Sequence, residues 1–251
     1  MKVIGIIQAR MNSKRLPEKV LLNINEKPML WHIYQRMKNS KTLDEVVIST
    51  GDSKENKKII KFSEDNNIPF FSGNESDLID RLYKTAVKFK ADAIVRVTGD
   101  CPLVDSDIID ELVTNYIKKN ESFDIVSNCI TESFPHGLDA EVYSTKVLNK
   151  MYLEIKEGKF REWFVLYVRN HSKEFKILEI KNSSNQSKHR WTVDYSEDLE
   201  FVRHVFKNLY NKKKMFMMSD IFDLLNKKPD LERINSKFMD CKNIDAPKES
   251  I

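Results

Sequence analysis

Residues 3–19 read VIGIIQARMNSKRLPEK, and this stretch decides the predicted fold. Its beginning, Val3 to Ile7, is an apolar run long enough for a buried strand and too short for a buried helix. A polar loop follows the run directly. Because open α/β sheets bind ligands at the carboxyl ends of their strands, the stretch predicts an α/β protein with a site just after its first strand.

The loop after this strand is rich in positive charge and in small polar residues. Cationic side chains and backbone N–H groups together suit a polyphosphate, and Pro17 restrains the backbone where the loop ends. An ordinary solvated basic loop has a similar composition, but the position after the first strand favours the phosphate interpretation. The residues concerned are Arg10, Asn12, Ser13, Lys14, Arg15 and Lys19.

Length and composition limit the possible classes of protein. The chain has 251 residues, enough for one α/β domain with a small excursion or for at most two compact units. The hydrophobic share of 41% supports a sizeable core. A net charge of +4 is too small and too dispersed for a nucleic-acid partner, but it is compatible with an anionic small molecule.

The cysteines and the lengths of the apolar runs bear on the cellular compartment. Cys101, Cys129 and Cys241 lie far apart without zinc-finger spacing, so we expect free thiols in a reducing compartment. The first apolar run is shorter than the ~7–15 residues of a signal sequence. Since no segment approaches the ~20 apolar residues of a membrane span, we expect a cytoplasmic protein without a membrane partner.

Hydrophobic periodicity predicts alternating strands and helices. Short β-type runs bounded by turn residues alternate with segments whose apolar residues recur at helical spacing. This order predicts a parallel sheet wrapped by helices. Strands are predicted at residues 45–50, 68–71, 93–98, 123–128, 175–180 and 191–193, and helices near residues 28–37, 54–66, 78–87, 108–117, 147–151, 161–169, 199–209 (with Ser196 as N-cap) and 221–225.

Asp100 follows the strand predicted at residues 93–98, on a glycine-containing turn. A carboxylate there would face the site above the sheet, and a hard oxygen ligand suits Mg²⁺ beside a triphosphate. A turn aspartate that hydrogen-bonds its own backbone is the alternative. Residues 105–107 read DSD, a metal motif of glycosyltransferases, but their place before an amphipathic helix favours Asp105 or Ser106 as an N-cap.

Two stretches close to the amino terminus carry a family resemblance. IIQARMNSKRLPEKVL and NINEKPMLWHIYQRM resemble the start of the cytidylyltransferases that make CMP-activated sugars. The resemblance is strongest to the spore-coat polysaccharide SpsF-like branch and extends to the CMP-KDO and CMP-sialic acid synthetases. The family reads Ala-Arg-x-Gly-Ser-x-Arg-Leu-Pro-Gly-Lys here. Asn12 and Glu18 replace its two glycines, whereas Arg10, Arg15 and Lys19 match the pattern.

The resemblance implies a Rossmann-like, mostly parallel sheet flanked by helices, of the nucleotide-diphospho-sugar transferase type. It implies one nucleotidyltransferase domain over residues 1–251. Within this domain, residues 134–188 or thereabouts would form a small excursion for acceptor binding and dimerisation, so the family also implies a homodimer.

The family motifs also assign roles to single residues. The motifs Gly-Asp-x-Pro and Val-Asp-x-x-Glu-Asp-Leu hold a metal in the family, which implies Mg²⁺ on Asp100 and Asp194 of this chain. For Asp194 a plain turn residue is the alternative. The implied catalytic cations are Arg10, Arg15 and Lys19. The residues implied for nucleotide binding are Gln8, Ala9, Arg10, Ser13, Lys19, Arg81, Thr98 and Asp100.

Residues 134–143, FPHGLDAEVY, resemble an SpsF-like element that borders the acceptor site. Proline and glycine predict a loop leading into a strand, on which Asp139 and Glu141 would share one face. With His136 they are the implied acceptor-binding residues, and a solvated acidic pair is the alternative. The segment REWFVLY departs from the family's Arg-Glu-His-Val-Thr-Pro-Tyr at Trp163, so the acceptor of this chain could differ.

These resemblances imply a Mg²⁺-dependent cytidylyltransferase. It would transfer CMP from CTP to a small acceptor and release pyrophosphate, in the biosynthesis of a surface polysaccharide or glycoconjugate. The acceptor would be a 2-keto sugar acid of the KDO, sialic or pseudaminic type, or a phosphorylated or phosphonate compound. The choice of cytosine rests on the resemblance alone.

Two other functions are compatible with the same fold. One is a glycosyltransferase that uses a nucleotide sugar, and the other is a nucleotide-binding protein without catalysis. An NAD-binding domain is disfavoured, because no Gly-x-Gly-x-x-Gly follows the first strand.

Overall fold

A central sheet organises the protein, of which the computed structural model describes residues 1–119, 122–156, 158–211, 213 and 215–239. The strands in these residues are β1 (Val3–Ala9), β2 (Asn23–Ile24), β3 (Lys27–Pro28), β4 (Glu45–Gly51), β5 (Phe70–Gly73), β6 (Ala93–Thr98), β7 (Ile125–Ser127), β8 (Glu141–Ser144) and β9 (Ile177–Glu179). Seven of them form one sheet in the order β5-β4-β1-β6-β8-β7-β9, and β2 pairs with β3 in a small hairpin.

The direction of the strands brings several strand ends to one edge of the sheet. β1 is parallel to β4 and β6, and β7 is parallel to β9, whereas β8 is antiparallel to both β6 and β7. Among the described strands of this sheet, β8 alone is reversed. The carboxyl ends of β1, β6 and β7 and the start of β8 therefore lie at the same edge, which we call the catalytic edge.

Helices cover both faces of the sheet. In the described residues they are α1 (Met29–Lys38), α2 (Lys57–Asp65), α3 (Leu78–Lys88), α4 (Ser106–Lys118), α5 (Thr145–Glu154), α6 (Gly158–Glu162), α7 (Phe164–Asn170), α8 (Ser196–Leu209) and α9 (Met218–Lys227). Short 3-10 turns lie at Lys19–Leu21, Ser172–Glu174, Pro229–Arg233 and Ser236–Phe238.

The alternation of side chains along β1 explains how both faces are buried. Val3 and Ile7 belong to one apolar cluster, which includes residues of α1, α4 and α8. Ile4 and Ile6 belong to the other cluster, which includes residues of α3, α5 and α7. A strand buried on both faces reads as a nearly continuous apolar run, and this is why the opening sequence indicated a central strand.

The predicted fold class is confirmed: a mostly parallel sheet is flanked by helices. β6 covers the predicted residues 93–98, and β1 continues past the predicted Ile7 to Ala9. The N-cap predicted before α4 is confirmed as well, since the Asp105 side chain accepts a hydrogen bond from the backbone N–H of Asp107 (2.8 Å).

Residues 191–193 do not form the predicted strand. Their backbone hydrogen-bonds to two loops rather than to a strand: Trp191 N–H donates to the His136 carbonyl (2.7 Å) and Val193 N–H to the Asp100 carbonyl (2.8 Å). The alternation of apolar residues is real, because Trp191 and Val193 are both buried. Burial in this segment comes from packing between loops at the catalytic edge.

Two predicted helix boundaries are wrong. The helix expected at residues 161–169 is broken at Trp163 into α6 and α7. The predicted N-cap Ser196 is the first residue of α8, and Tyr195 is the N-cap. The cause is the side chain of Asp198, which accepts the backbone N–H of Tyr195 (3.0 Å) and starts the helix one residue early.

The region predicted as an excursion contributes to the main sheet. β8 and β9 both lie in it, with α5, α6 and α7 between them in the chain. Its proposed role in dimerisation stays a prediction.

Cys101 and Cys129 are free thiols, as predicted, and both are buried. Burial raises the pKa of each thiol well above its ordinary value. Cys241 lies outside the described residues. None of the helices in the described ranges has the length and apolar character needed to cross a membrane.

Candidate active site

The loop after β1 folds back on itself before it turns into the core. The carbonyl of Met11 accepts the backbone N–H groups of Ser13 (2.9 Å) and Glu18 (3.1 Å), and the Met11 N–H donates to Asn56 Oδ1 (2.8 Å). These bonds fix both ends of the loop. The 3-10 turn that starts at Lys19 then directs the lysine side chain toward the catalytic edge.

The two glycine positions of the family behave differently in this loop. Glu18 has φ 59 and ψ 15, a left-handed conformation that glycine adopts without steric cost. Asn12 is not among the residues with positive φ. The turn therefore needs the left-handed conformation only at Glu18, and the chain adopts it there without glycine.

Lys19 joins the loop to two distant carboxylates. Its ammonium donates to Asp100 Oδ2 (2.9 Å), Asp194 Oδ1 (2.8 Å) and the Val193 carbonyl (2.8 Å). The residue is 8% exposed, so these three acceptors replace water almost completely. Lys19 thus brings both carboxylates to one point, although Asp100 is 81 residues and Asp194 is 175 residues away in the chain.

Arg15 binds the same carboxylate from the other side. One of its terminal nitrogens lies 2.7 Å from Asp194 Oδ1, and its guanidinium lies 5.5 Å from the centre of the Tyr195 ring. The second oxygen of Asp194, Oδ2, accepts a hydrogen bond from Arg190 (3.0 Å). Asp194 is therefore held at both oxygens, with Oδ1 facing the loop.

The charges in this cluster stabilise one another. Burial lowers the pKa of Lys19, but Asp100 and Asp194 more than offset that effect, so its pKa is raised. Burial raises the pKa of Asp100, and Lys19 together with a hydrogen bond from Thr98 brings it well below the ordinary value. Burial and the charge of Asp100 raise the pKa of Asp194, but Lys19 and Arg15 lower it by more, so the net effect is a lowered pKa. All three groups are charged at neutral pH.

The donor set at this point suits Mg²⁺. Asp100 Oδ2 and Asp194 Oδ1 already converge on one cation, the ammonium of Lys19. Within the described ranges no group of three or more His, Cys, Asp or Glu residues is arranged for a metal. Two carboxylates without a complete protein cage are typical of Mg²⁺ sites, in which water and substrate phosphates supply the other ligands.

A cavity of about 530 Å³ opens at the catalytic edge in front of these residues. Lys19, Asp100 and Asp194 all line it. On the β4–β5 side the wall includes Arg10, Glu75 and Arg81, and on the β7–β8 side it includes Asn128, Phe134, His136, Asp139, Trp163 and Arg169. The acidic pair and the cations of the loop thus face one shared cavity.

Most of the residues predicted to bind nucleotide line this cavity, namely Gln8, Arg10, Ser13, Lys19, Arg81, Thr98 and Asp100. Ala9 does not line it; this residue is 1% exposed and ends β1. Arg81 is buried, donates to the carbonyl of Asn74 (2.6 Å), and has a pKa lowered mainly by burial. Thr98 donates to Asp100 Oδ1 (2.5 Å) and so orients the carboxylate.

Glu141 is placed differently from the prediction. Its side chain is 2% exposed, is absent from the cavity wall and pairs with Arg96 (2.6 Å). Asp139 precedes β8, so the two acidic residues do not share a strand face as predicted. The buried guanidinium of Arg96 pairs with the Glu141 carboxylate. Glu141 therefore lies behind the cavity wall and does not face the predicted acceptor side.

His136 and Asp139 do line the predicted acceptor side of the cavity. His136 Nδ1 lies 3.4 Å from Asp139 Oδ2. Burial lowers the pKa of His136, but the hydrogen bond and charge of Asp139 outweigh burial and raise it. Together they form an ion pair once the histidine is protonated.

The sequence analysis missed three residues that line the cavity and one, Arg190, that lies buried behind Asp194. Arg96 reaches the cavity from β6 and also donates to Gln8 (3.0 Å). Glu162 pairs with Arg10 across the cavity mouth (3.2 Å). Arg169 lies two residues after the divergent REWFVLY segment, and Arg190 lies four residues before Asp194. The available signal was their position within or beside segments already singled out.

Comparisons with known proteins agree on one family. The family model described as cytidylyltransferase matches residues 4–236. An uncharacterized protein of Methanocaldococcus jannaschii is 35% identical over 94% of this chain and 95% of that protein. The spore coat polysaccharide biosynthesis protein SpsF of Bacillus subtilis is 28% identical over 91% of this chain and 95% of its own length. A solved cytidylyltransferase from Leptospira borgpetersenii is 33% identical, with a TM-score of 0.88 over 92% of this chain and 97% of that chain.

Proposed function

This chain belongs to the cytidylyltransferase family of nucleotidyltransferases, and we propose that it transfers CMP from CTP to a small anionic acceptor with release of pyrophosphate. The observation that carries the proposal is the contact of one loop lysine, Lys19, with both Asp100 and Asp194 at the catalytic edge. That contact joins a phosphate-binding loop to a pair of metal-binding carboxylates in one cavity.

The loop cations act on the triphosphate. Lys19, Arg15 and Arg10 are paired with carboxylates, and the phosphates of CTP offer these cations stronger, charge-dense acceptors. As the bond from the acceptor oxygen to the α-phosphorus forms, the bond to pyrophosphate breaks and the hydroxyl proton passes to solvent. Negative charge then grows on the leaving group. Cations fixed beside it stabilise that charge, which is the main contribution of the protein to such a transfer.

Asp100 and Asp194 are the residues that would hold Mg²⁺. When bound, the ion supplies Lewis acidity toward the α-phosphate and lowers the pKa of the acceptor hydroxyl. The chain supplies the orientation of the two ligands. Thr98 holds Asp100 by Oδ1 (2.5 Å) and Arg190 holds Asp194 by Oδ2 (3.0 Å), so each carboxylate keeps one oxygen toward the cavity.

Arg169 supports an acceptor with an acidic group. Its guanidinium lines the cavity wall and donates to the carbonyl of Cys129 (2.6 Å). Its Nε is buried and has no hydrogen-bond acceptor among the described residues. A carboxylate, phosphate or phosphonate on the acceptor would supply a counter-charge to this guanidinium through a charge-assisted hydrogen bond.

The biosynthetic setting is part of the proposal. The printed name of the SpsF relative refers to spore coat polysaccharide biosynthesis. We accordingly place the product of this chain in the synthesis of a surface polysaccharide or glycoconjugate. The homodimer and the cytoplasmic location remain predictions.

The test is pyrophosphate release from CTP and Mg²⁺ with a panel of acceptors. The panel contains KDO, N-acetylneuraminate and several sugar phosphates, each beside an uncharged counterpart, with Asp100→Asn as the inactive control. Release that needs an acidic acceptor and is lost in Asp100→Asn supports the proposal. Consumption of a nucleotide sugar instead would support a glycosyltransferase, and CTP binding without any release would support a non-catalytic binding protein.

A further inference from the structure

Residues 229–239 fold back onto the start of α8, close to Asp194. The segment contains two short 3-10 turns and the residues between and after them. Three contacts beside α8 hold it there: His189 with Glu232, Glu197 with Lys237 (2.5 Å), and Tyr195 with Phe238, whose parallel rings stack at 3.8 Å.

Asn235 is the residue of this segment that reaches the buried network behind the active site. It is 3% exposed. Its Nδ2 donates to the backbone carbonyl of Arg190 (3.0 Å) and to Asp198 Oδ1 (2.9 Å). Because buried polar groups are nearly always matched by partners, the amide ties the segment to the geometry of Arg190 and Asp198.

Asp198 receives more hydrogen bonds than a helix cap requires. Its Oδ2 accepts the backbone N–H groups of Asp194 (2.9 Å) and Tyr195 (3.0 Å), of which the bond from the N-cap Tyr195 caps α8. Arg190 adds two donors and Asn235 adds one, all to a carboxylate that is fully buried. The additional donors fix Asp198 and Arg190 relative to each other.

Arg190 connects Asp198 to Asp194 through hydrogen bonds to both carboxylates. Its Nε and one terminal nitrogen bind Asp198 side by side, each at 2.9 Å. The same terminal nitrogen donates to Asp194 Oδ2 (3.0 Å). The arginine side chain is 2% exposed, and its planar fork leaves little rotational freedom. Asp194 is thus held by its backbone N–H and by Oδ2, while Oδ1 faces Lys19 and Arg15 on the cavity side.

We infer that Arg190, Asp198 and Asn235 are positioning residues that fix the Asp194 carboxylate for a divalent cation, so that residues 229–239 help to set the affinity of the site. The inference rests on the proposed function, in which Asp194 is a ligand of Mg²⁺. Hydrogen-bond partners of a metal ligand commonly change metal affinity by about 10- to 100-fold. In this protein a chain of buried hydrogen bonds links Asn235 to Asp198, Asp198 to Arg190, and Arg190 to Asp194.

The experiment measures CTP binding by titration calorimetry, once with excess Mg²⁺ and once in EDTA. The ratio of the two dissociation constants is the coupling between nucleotide and cation. Arg190→Lys keeps the charge but removes the fork, so we expect its ratio to fall by about 10- to 100-fold. Asn235→Ala removes one hydrogen-bond donor from the network, and we expect a fall of about 3- to 10-fold. Metal-free CTP binding should stay close to that of the parent chain in both variants.

Asn208→Ala is the matched control. Asn208 also donates its amide to a backbone carbonyl, that of His204 (2.7 Å), and accepts from Lys228, but none of its bonds leads to Asp194. The ratio of CTP dissociation constants for Asn208→Ala should equal that of the parent chain, while its Tm should fall about as much as that of Asn235→Ala. If Arg190→Lys does not fold, the ratio measured for Asn235→Ala tests the inference by itself.

An unchanged ratio in the folded variants would overturn the inference. This holds whether CTP binding stays as in the parent chain or weakens equally with and without Mg²⁺, which is what a merely structural role predicts. A parent ratio near one would remove the Mg²⁺ role and this inference with it, whereas pyrophosphate release, measured separately, decides the transfer reaction itself.

Discussion

The ammonium of Lys19 lies 2.8 Å from Asp194 Oδ1, and the two residues are 175 positions apart in the chain. With Asp100 on its other side, the lysine provides a positive charge where two carboxylates face one another. Lys19 and Asp194 are buried, whereas the Asp100 side chain is 25% exposed, so the ion pair of Lys19 with Asp194 is only weakly screened by salt. The structure thus stabilises the acidic pair with a cation of its own.

Replacing Lys19 should expose the acidic pair to added metal. In Lys19→Met we expect Mn²⁺ to bind without nucleotide, because the two carboxylates lose their internal cation and repel each other. Turnover of CTP should fall by about 100-fold or more, since a charge beside the leaving group is lost. Electron paramagnetic resonance of free Mn²⁺ measures the first effect, and equal Mn²⁺ affinity of parent and variant would contradict it.

The ion pair of His136 with Asp139 predicts a pH-dependent contribution to stability. The folded pKa of His136 is raised, so its contribution is full below the unfolded value of about 6.5 and is lost as pH rises through the folded pKa. His136→Gln should therefore lose more Tm at pH 6 than at pH 9. In an Asp139→Asn background the Tm loss caused by His136→Gln should depend little on pH. A Tm loss that is the same at pH 6 and pH 9 in the parent background would disprove the ion pair.

Glu141→Gln tests the corrected role of this residue. The change leaves Arg96 as an uncompensated buried charge, so we expect the free energy of unfolding to fall by about 3 kcal/mol. Urea unfolding followed by circular dichroism measures this loss. The acceptor KM should remain unchanged, and a raised KM at parental stability would return Glu141 to the acceptor site.

The left-handed Glu18 predicts opposite effects for two substitutions. Glu18→Gly removes the steric cost of positive φ and should stabilise the protein by up to about 1 kcal/mol. Glu18→Val places a β-branched side chain in that conformation and should destabilise it by more than about 1 kcal/mol. Both lose the exposed pair with Lys58, so Lys58→Ala supplies the baseline in thermal unfolding.

Arg169→Gln should weaken binding of the acceptor and spare that of the nucleotide. Loss of a charged hydrogen-bond donor predicts a rise in acceptor KM of about 10- to 100-fold, with the KM for CTP within a factor of about two. Arg203→Gln is the control, since Arg203 also donates to a backbone carbonyl, that of Asn23 (2.9 Å), but lies outside the cavity wall. Equal effects of the two substitutions would remove Arg169 from the acceptor site.

Much of the fold and part of the site could be predicted because the signals are local. β1, its basic loop and the aspartate after β6 each follow from a short run of residues, and Lys19 and Asp100 do meet. Asp105 caps α4 through its neighbour Asp107, and a contact of that range can be read from sequence.

The errors come from contacts between distant parts of the chain. Glu141 is buried because Arg96, 45 residues away, provides its counter-charge, and no local pattern shows which strand lies beside β8. Residues 191–193 look like a strand because their apolar residues alternate, yet their hydrogen bonds go to two loops. Asn235 lies outside every motif that sequence similarity singled out, and only the fold brings it to Asp198.

The reversed strand β8 also bears on how enzymes of this type change over time. The chain reaches the catalytic edge at the end of β7 and enters the sheet again at the start of β8, so residues 128–140 are anchored at both ends by sheet hydrogen bonds. Substitutions in this segment alter the pocket and leave the strand pairing intact, provided that its hydrogen bonds to residues 186–191 are kept. Selection for a new acceptor would therefore act on the side chains of this segment that line the cavity.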